Sequence, residues 1–433
     1  MWSFIKRQSP GRIIVCGFLL VIFIGSLLLM MPFSIKEGAT VRYIDALYTS
    51  TSAVCVTGLI AIPAGDHFTP IGQFILILLI QIGGLGVTSV GAGIILAMGK
   101  KMHLKGRNLL QEAMNLNSGR GVVNLVKNVF FTTMVIELIG AILSFIVFIK
   151  DYEFWNAVGI SIFHSVAAFN NSGFDILING GNNLIPYQDN ILLNLVTCGL
   201  IILGGIGFLV IEEIRTKKFH WKKYSMHTKV VLSVSFVLLV IGTLLIKATE
   251  DITWLGAFFT SVSARTAGFS TFPLKDFTNA GLLVMMILMF IGASPGSTGG
   301  GIKTTTFFTL IRGIMSSATN RQEKAFKYSF PKDAFRKSAV ITLIALITVL
   351  VSTYLLLVFD PYLELRDALF EMASAFGTVG LSTGITPTLS VSSKIVSIIM
   401  MFIGRLGPLT IASLWVFSRG ENIKYPEGNI TIG

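Results

Sequence analysis

Four glycines, Gly58, Gly173, Gly268 and Gly380, each close a short stretch of mixed small and apolar residues. Superposing the stretches on these glycines brings out agreement elsewhere. Ten residues upstream stands an aromatic in every copy (Tyr48, Phe163, Phe258, Phe370). Five upstream stands a small residue (Ala53, Ala168, Ser263, Ala375), and directly downstream a bulky apolar one (Leu59, Phe174, Phe269, Leu381). Unrelated loops would not agree at three further positions, so one unit is used four times. Glycine lets the backbone pass through positive φ, which costs other L-residues about 1–2 kcal/mol, and such a backbone can aim successive carbonyls at one axis. Four loops around an axis would offer a ring of peptide oxygens able to replace the water shell of a dehydrated cation. The candidate lining residues are Cys55, Val56, Thr57 and Gly58, then Asn170, Asn171, Ser172 and Gly173, then Arg265, Thr266, Ala267 and Gly268, and finally Gly377, Thr378, Val379 and Gly380.

Such loops need elements that carry them to membrane depth. The stretches 43–59, 154–174, 253–269 and 367–381 are too short to cross about 30 Å of hydrocarbon, and they read as re-entrant half-helices followed by a loop. Around them lie long apolar segments near 13–31, 70–98, 124–149, 190–211, 228–246, 280–318, 338–358 and 393–417. A second glycine recurs downstream of each loop: Gly83, Gly204, Gly292 and Gly404, in the runs QIGGLG, ILGGIG, FIGASPG and FIGRLG. The expected fold is an all-α integral membrane protein of four helix, half-helix, loop, helix repeats, with eight full transmembrane helices plus four re-entrant half-helices. The repeats fall at 12–100, 120–215, 226–320 and 334–420, followed by a tail at 421–433.

Composition agrees with lipid as the solvent: 53% of the 433 residues are hydrophobic, only 13% are charged, and mean hydropathy is +0.76. The first apolar run follows Lys6, Arg7 and Arg12 and lacks a small-residue cleavage site, which reads as a retained helix and not a signal peptide. A net charge of +12 raises the question of a nucleic-acid partner. With both termini cytoplasmic, 25 of the 34 Lys and Arg fall inside against 7 of the 22 acids, so the basic excess is membrane topology. The 14 acids expected outside should concentrate cations at the mouth. The aromatics lie in the apolar runs and do not interleave with Lys, which argues against nucleic acid. Cys16, Cys55 and Cys198 lack metal or disulfide spacing. The five histidines are scattered and no Walker A run occurs, so neither a polytopic membrane enzyme nor a nucleotide-driven pump finds its residues here.

Arg405 falls mid-membrane, where an unpaired cation costs about 2.5–3.5 kcal/mol, so it requires acceptors, and carbonyls of a broken neighbouring helix suit its five donors. The broken helix is the sixth segment, interrupted by Gly292, Ala293, Ser294, Pro295, Gly296, Ser297, Thr298, Gly299, Gly300 and Gly301. Arg265, beside the proposed pathway, must turn its side chain away from the axis; Asp367 and Glu371 are candidate partners by depth. Glu137 reads as a hydrogen-bonded structural residue and His164 as a packing residue.

With these motifs in hand the chain resembles the KtrB-like membrane subunits of bacterial Ktr potassium uptake systems, within the Trk/Ktr/HKT superfamily. The carriers are VCVTGL at 54–59, AFNNSGF at 168–174, ARTAGFST at 264–271, AFGTVGLSTG at 375–384, GASPGSTGGGIK at 292–303 and FIGRLGPLT at 402–410. The resemblance implies K+ held at backbone carbonyls of a selectivity filter, and a preference for K+ because all four filter glycines are present where a serine goes with sodium. It implies a movable gate at 292–301 ended by Lys303, with Arg405 beneath the filter. It further implies a homodimer with one pore per subunit and a cytosolic nucleotide-binding (RCK-type) ring. That ring, or anionic membrane lipid, would cover the basic stretches 99–127, 212–229 and 312–337; nucleotide would sit on the partner alone. A sodium-preferring or sodium-coupled transporter (a symporter) of the same fold is the alternative.

Overall fold

The structure is a computed structural model describing residues 10–97, 104–113, 121–177, 183–218, 220–331 and 333–407. The expected tail at 421–433, residues 408–410 of the FIGRLGPLT run and the rest of the fourth repeat beyond 407 lie outside the described residues.

Four helices, Pro10–Leu29, Val122–Phe148, Met226–Thr249 and Ala334–Phe359, are long and apolar enough to cross a bilayer. Each shows one face to lipid and one to protein. On Val122–Phe148, Phe131, Met134 and Leu138 form an outward row at 65%, 67% and 62% exposure, while Val126, Val129, Thr133, Glu137, Gly140 and Ser144 recur at helical spacing on the buried side.

Each of these outer helices is followed by a short, mostly buried pore helix: Tyr43–Val54, Phe154–Phe169, Trp254–Thr266 and Leu365–Gly377. At 1.5 Å per residue they reach about 18–24 Å, short of the hydrocarbon thickness. Small residues let them pack closely on the outer helices. Ser50, Ser165 and Ser261 donate to the carbonyls of Ile22 (2.7 Å), Glu137 (2.6 Å) and Leu239 (3.1 Å). Three residues beyond each acceptor stands a glycine, Gly25, Gly140 or Gly242, where a Cβ would come within 2.5, 2.4 and 2.5 Å of the serine hydroxyl.

Inner helices follow: Pro70–Leu85, Ile191–Gly205, Asn279–Phe290 and Val391–Leu406. All four start at a side chain that caps the backbone: Thr69, Asn190, Thr278 and Ser390 accept from Gly72, Leu193, Gly281 and Ser393. The first two inner segments, expected as full spans, are bent. The first bends by 97° into Val87–Ala97 and the second by 98° into Phe208–Lys217. The hinge residues Gly86 and Gly207, and Gly407 at the end of the last described helix, share φ of 85°, 95° and 89°, a conformation that stops a helix and that glycine alone adopts cheaply. In the third inner element the break widens to the segment 291–303 before Thr304–Thr319.

An ion pair ties the last inner helix to the first pore helix. Lys394 Nζ donates to Asp45 Oδ1 at 2.7 Å with both side chains buried, Arg42 holds the other carboxylate oxygen at 2.8 Å, and Tyr48 Oη meets Ser397 Oγ at 2.9 Å. Removing one partner of a buried pair costs about 3–5 kcal/mol because the other charge is stranded. Lys394→Met is therefore expected to destabilise the protein by about 3 kcal/mol, the lower end because Arg42 still serves Asp45; thermal unfolding in detergent, with Asp45→Asn/Lys394→Met as the rescue, measures it.

Candidate ion pathway

The four loops that follow the pore helices meet. A Cβ built on Gly58 would stand 2.1 Å from the carbonyl oxygen of Ser172, one on Gly173 2.7 Å from that of Ala267, one on Gly268 2.1 Å from that of Val379, and one on Gly380 2.1 Å from that of Thr57. The chain of contacts closes on itself, so the glycines form a ring in which each makes room for its neighbour's carbonyl. Their φ values, +90°, +66°, +78° and +93°, all lie in the left-handed region. Hydroxyls fix two of the turns: Ser52 Oγ accepts from Gly58 N and Ser374 Oγ from Gly380 N, both at 3.0 Å. The aligned side chains are the packing behind the ring, since Ala53, Ala168, Ser263 and Ala375 and the following Leu59, Phe174, Phe269 and Leu381 are all buried. Each pore helix ends at the ring, so four helix C-termini turn their partial negative charge toward its centre.

The third loop departs from the other three. Val56, Asn171 and Thr378, two residues before their glycines, have φ of 57°, 58° and 49°, whereas Thr266 still belongs to its helix. The five-residue-back hydrogen bond that ends the helix is made by Thr57, Ser172 and Val379 in three loops but by Gly268 itself in the third. Arg265 thus sits on a helical turn with its side chain directed away from the ring, and Nη2 donates to the carbonyl of Gly292 at 3.4 Å. The expected acidic partners are elsewhere: Glu371 accepts from Ser382 and Thr386, and Asp367 lies beside Arg366. Depth along the membrane normal does not specify lateral position, and a buried carbonyl at the start of the broken segment is the acceptor within reach.

That broken segment is packed under the ring. Gly300 N donates to Thr378 Oγ1 at 2.8 Å, Thr298 Oγ1 to the carbonyl of Phe169 at 3.3 Å, and Ser294 N and Thr298 N to those of Gly205 and Gly204. A Cβ on Gly299 would meet the Thr266 side chain at 2.6 Å. Lys303 Nζ closes the segment on the Gly299 carbonyl at 2.7 Å. Arg405 bridges it to the first inner helix, donating to the carbonyls of Thr298, Gly83 and Gly84, the last at 3.1 Å. The glycine-rich run from Gly292 to Gly301 thus touches the ends of the second and third pore helices and the fourth loop, and is pinned by a guanidinium from the last inner helix. From below, Phe208 N donates to the Gly296 carbonyl at 2.9 Å, and the helix Phe208–Lys217 is anchored at its far end by Glu213, which accepts from Lys217 and Ser225.

Gly83, Gly204 and Gly404 explain their recurrence: a Cβ there would lie 2.1, 1.8 and 2.0 Å from the carbonyls of Val54, Phe169 and Phe376 at the pore-helix ends. Gly292 instead faces Gly300 across its own segment. His164 is a packing residue, with Nε2 on Thr197 Oγ1 at 2.9 Å and its ring against Phe148 and Phe269. Above the ring a cavity of about 270 Å³ is bordered by Gly58, Gly268, Gly380, Asn183, Lys275 and Thr383. Two residues past Gly173, burial pushes the Asp175 carboxyl up to about 7, opposed by the Leu177 N–H and reinforced by Asp66, so acidification below neutral removes a negative charge there.

A fold of long outer helices, re-entrant pore helices and hinged inner helices around a ring of glycines defines a membrane transport protein. The chain belongs to the TrkH family, described as "Cation transport protein", which matches residues 5–422. It is similar to "Ktr system potassium uptake protein B" of Bacillus subtilis (strain 168), at 36% identity covering 99% of this chain and 97% of that one. It is also similar to "Potassium/sodium uptake protein NtpJ" of Enterococcus hirae, at 38% identity covering 99% and 98%. The crystal structure of the potassium transporter TrkH from Vibrio parahaemolyticus shares the fold, with a TM-score of 0.74 at 20% identity over 95% of this chain and 86% of that one. The protein is accordingly a multi-pass membrane transporter and not an enzyme.

Proposed function

We propose that the protein takes up K+ across the bacterial cytoplasmic membrane through the ring at Gly58, Gly173, Gly268 and Gly380. The observation that carries this reading is the closure of the four loops on one another, each with a backbone carbonyl beside the next glycine. Peptide oxygens so arranged can exchange for a cation's hydration, the four helix ends favour positive charge, and the Arg265 guanidinium is held on the Gly292 carbonyl. The filter comprises residues 55–58, 170–173, 265–268 and 377–380, and residues 292–301 with Lys303 and Arg405 form a gate below it. The chain is read as four repeats at 12–100, 120–215, 226–320 and 334–420, giving eight crossings, six of them continuous or hinged at one glycine where the fold is described, and four re-entrant half-helices with both termini in the cytoplasm. Two subunits form a homodimer with separate pores, and the basic cytoplasmic surface, including Arg215, Lys217, Lys222, Lys223, Arg321 and Lys324, docks an RCK-type nucleotide-binding ring. Expression in a K+-uptake-deficient bacterium should restore growth at limiting K+; failure of a folded, membrane-inserted protein to do so would remove the K+ reading.

A sodium-coupled mode is the second reading, favoured by the E. hirae relative, whose name includes sodium. Uptake of K+ into proteoliposomes with and without Na+ separates the two, since coupling makes the rate depend on Na+.

A further inference from the structure

Glu137 is an acid on the buried face of an outer helix, and its surroundings differ from those of its counterparts. The residues that precede Gly25 and Gly242 by three are Ile22 and Leu239, both apolar, and their carbonyls accept from Ser50 and Ser261 just as the Glu137 carbonyl accepts from Ser165. Fold symmetry therefore requires only the backbone at this position. The carboxyl group does something additional. Its Oε1 accepts from Asn170 Nδ2 at 3.0 Å and its Oε2 from Gln81 Nε2 at 3.3 Å, while Asn170 Nδ2 also donates to Gln81 Oε1 at 2.8 Å.

Three polar side chains from three elements thus form a closed triangle: Gln81 from the first inner helix, Glu137 from the second outer helix, Asn170 from the start of the second loop. Asn170 lies three residues before Gly173. With both Nδ2 hydrogens held, its side chain is kept turned to the back of the loop, so the loop presents backbone, not amide side chain, toward the ring. Its Oδ1 rests on Gly84, where a Cβ would stand only 1.9 Å away, and it finds no hydrogen-bond donor. The carbonyls of Gly83 and Gly84 on that same turn are the acceptors of Arg405. The triangle therefore sits at the contact between the second loop and the turn that holds the Arg405 end of the gate. The amide hydrogens of Asn170 and Gln81 and both Glu137 oxygens are thus engaged within the triangle, and cutting one member frees the others from that geometry.

We infer that Glu137 is a positioning residue for ion discrimination: through Gln81 and Asn170 it clamps the second pore loop against the first inner helix. The inference rests on the proposed K+ uptake and deepens it. Glu137→Gln keeps size and shape but sets one N–H against another within the triangle. The expected result is a fall of about tenfold in the ratio of K+ to Na+ uptake in proteoliposomes, with the amount of folded protein unchanged. A residue serving only the fold would lower protein yield or scale both ion rates together. Should Glu137→Gln fail to fold, the triple variant Gln81→Leu/Glu137→Leu/Asn170→Leu removes all three polar groups at once, leaves none unsatisfied, and should show the same loss of discrimination. Wild-type discrimination in either folded variant overturns the inference alone. A wild-type protein that carries no K+ overturns the functional reading and the inference with it.

Discussion

Serine in place of Gly58, Gly268 or Gly380 lowers the preference for K+ over Na+ by about tenfold or more, and serine in place of Gly173 has the smallest effect of the four. The expectation comes from the ring itself. A new Cβ at the first three positions lies 2.1 Å from a neighbouring backbone oxygen, over 1 Å inside contact distance, and neither partner is a flexible side chain that can move aside. At Gly173 the gap is 2.7 Å and φ is the lowest of the set at +66°, nearest to where L-residues are tolerated. Because each oxygen belongs to the next loop, the displacement passes to the adjacent side of the ring, and a shift equivalent to 1.4 kcal/mol between two ions already gives tenfold. K+ and Na+ uptake measured in parallel in proteoliposomes gives the ranking. Equal effects at all four positions, or none, would show that these carbonyls do not contact the ion.

Deleting Ser294–Gly301 raises K+ flux, and Arg405→Ala raises it by about thirtyfold. A guanidinium about 8 Å from a monovalent ion, in a medium of effective dielectric near 20, repels it by about 2 kcal/mol. Arg405 also pins the segment through the Thr298 carbonyl, so the substitution removes the charge and the tether together. Tracer flux into proteoliposomes, compared at equal amounts of folded protein, measures both variants. Unchanged or reduced flux in a folded deletion variant would mean that this segment blocks nothing. Thr378→Val, which removes the acceptor of Gly300 N, isolates the tether and should have the same sign with a smaller size.

The parts of this architecture legible in sequence are those where one residue type has one physical use. A glycine at the same place in four stretches announces four loops, and the aromatic, small and apolar companions announce the packing behind them; in space the glycines adjoin and the companions are buried, Phe258 partly so. The bends of the inner helices were harder to read because the runs 70–98 and 190–211 remain apolar across them. Their signal is nevertheless present: Gly86 and Gly207 each follow by three a glycine already noted as recurrent, at Gly83 and Gly204, and Gly407, which ends the last described helix, follows Gly404 in the same way. The capping residues Thr69, Asn190, Thr278 and Ser390 repeat in the same way and would have fixed the start of every inner helix. Pairings across the bundle were not accessible. Depth pairs Arg265 with acids, but its acceptor is the carbonyl of Gly292, set by how one pore helix winds closer to its glycine than the others. The Lys394–Asp45 pair joins residues 349 apart, and the Glu137 triangle needs two helices and a loop brought to one point.

Crystals of the protein grown with Rb+ in place of K+, with data collected at the rubidium absorption edge, test the central claim most directly. The account predicts an anomalous peak on the axis enclosed by Gly58, Gly173, Gly268 and Gly380, within reach of the carbonyl oxygens of Thr57, Ser172, Ala267 and Val379. Rubidium bound elsewhere in the molecule, with none at that ring, would contradict it.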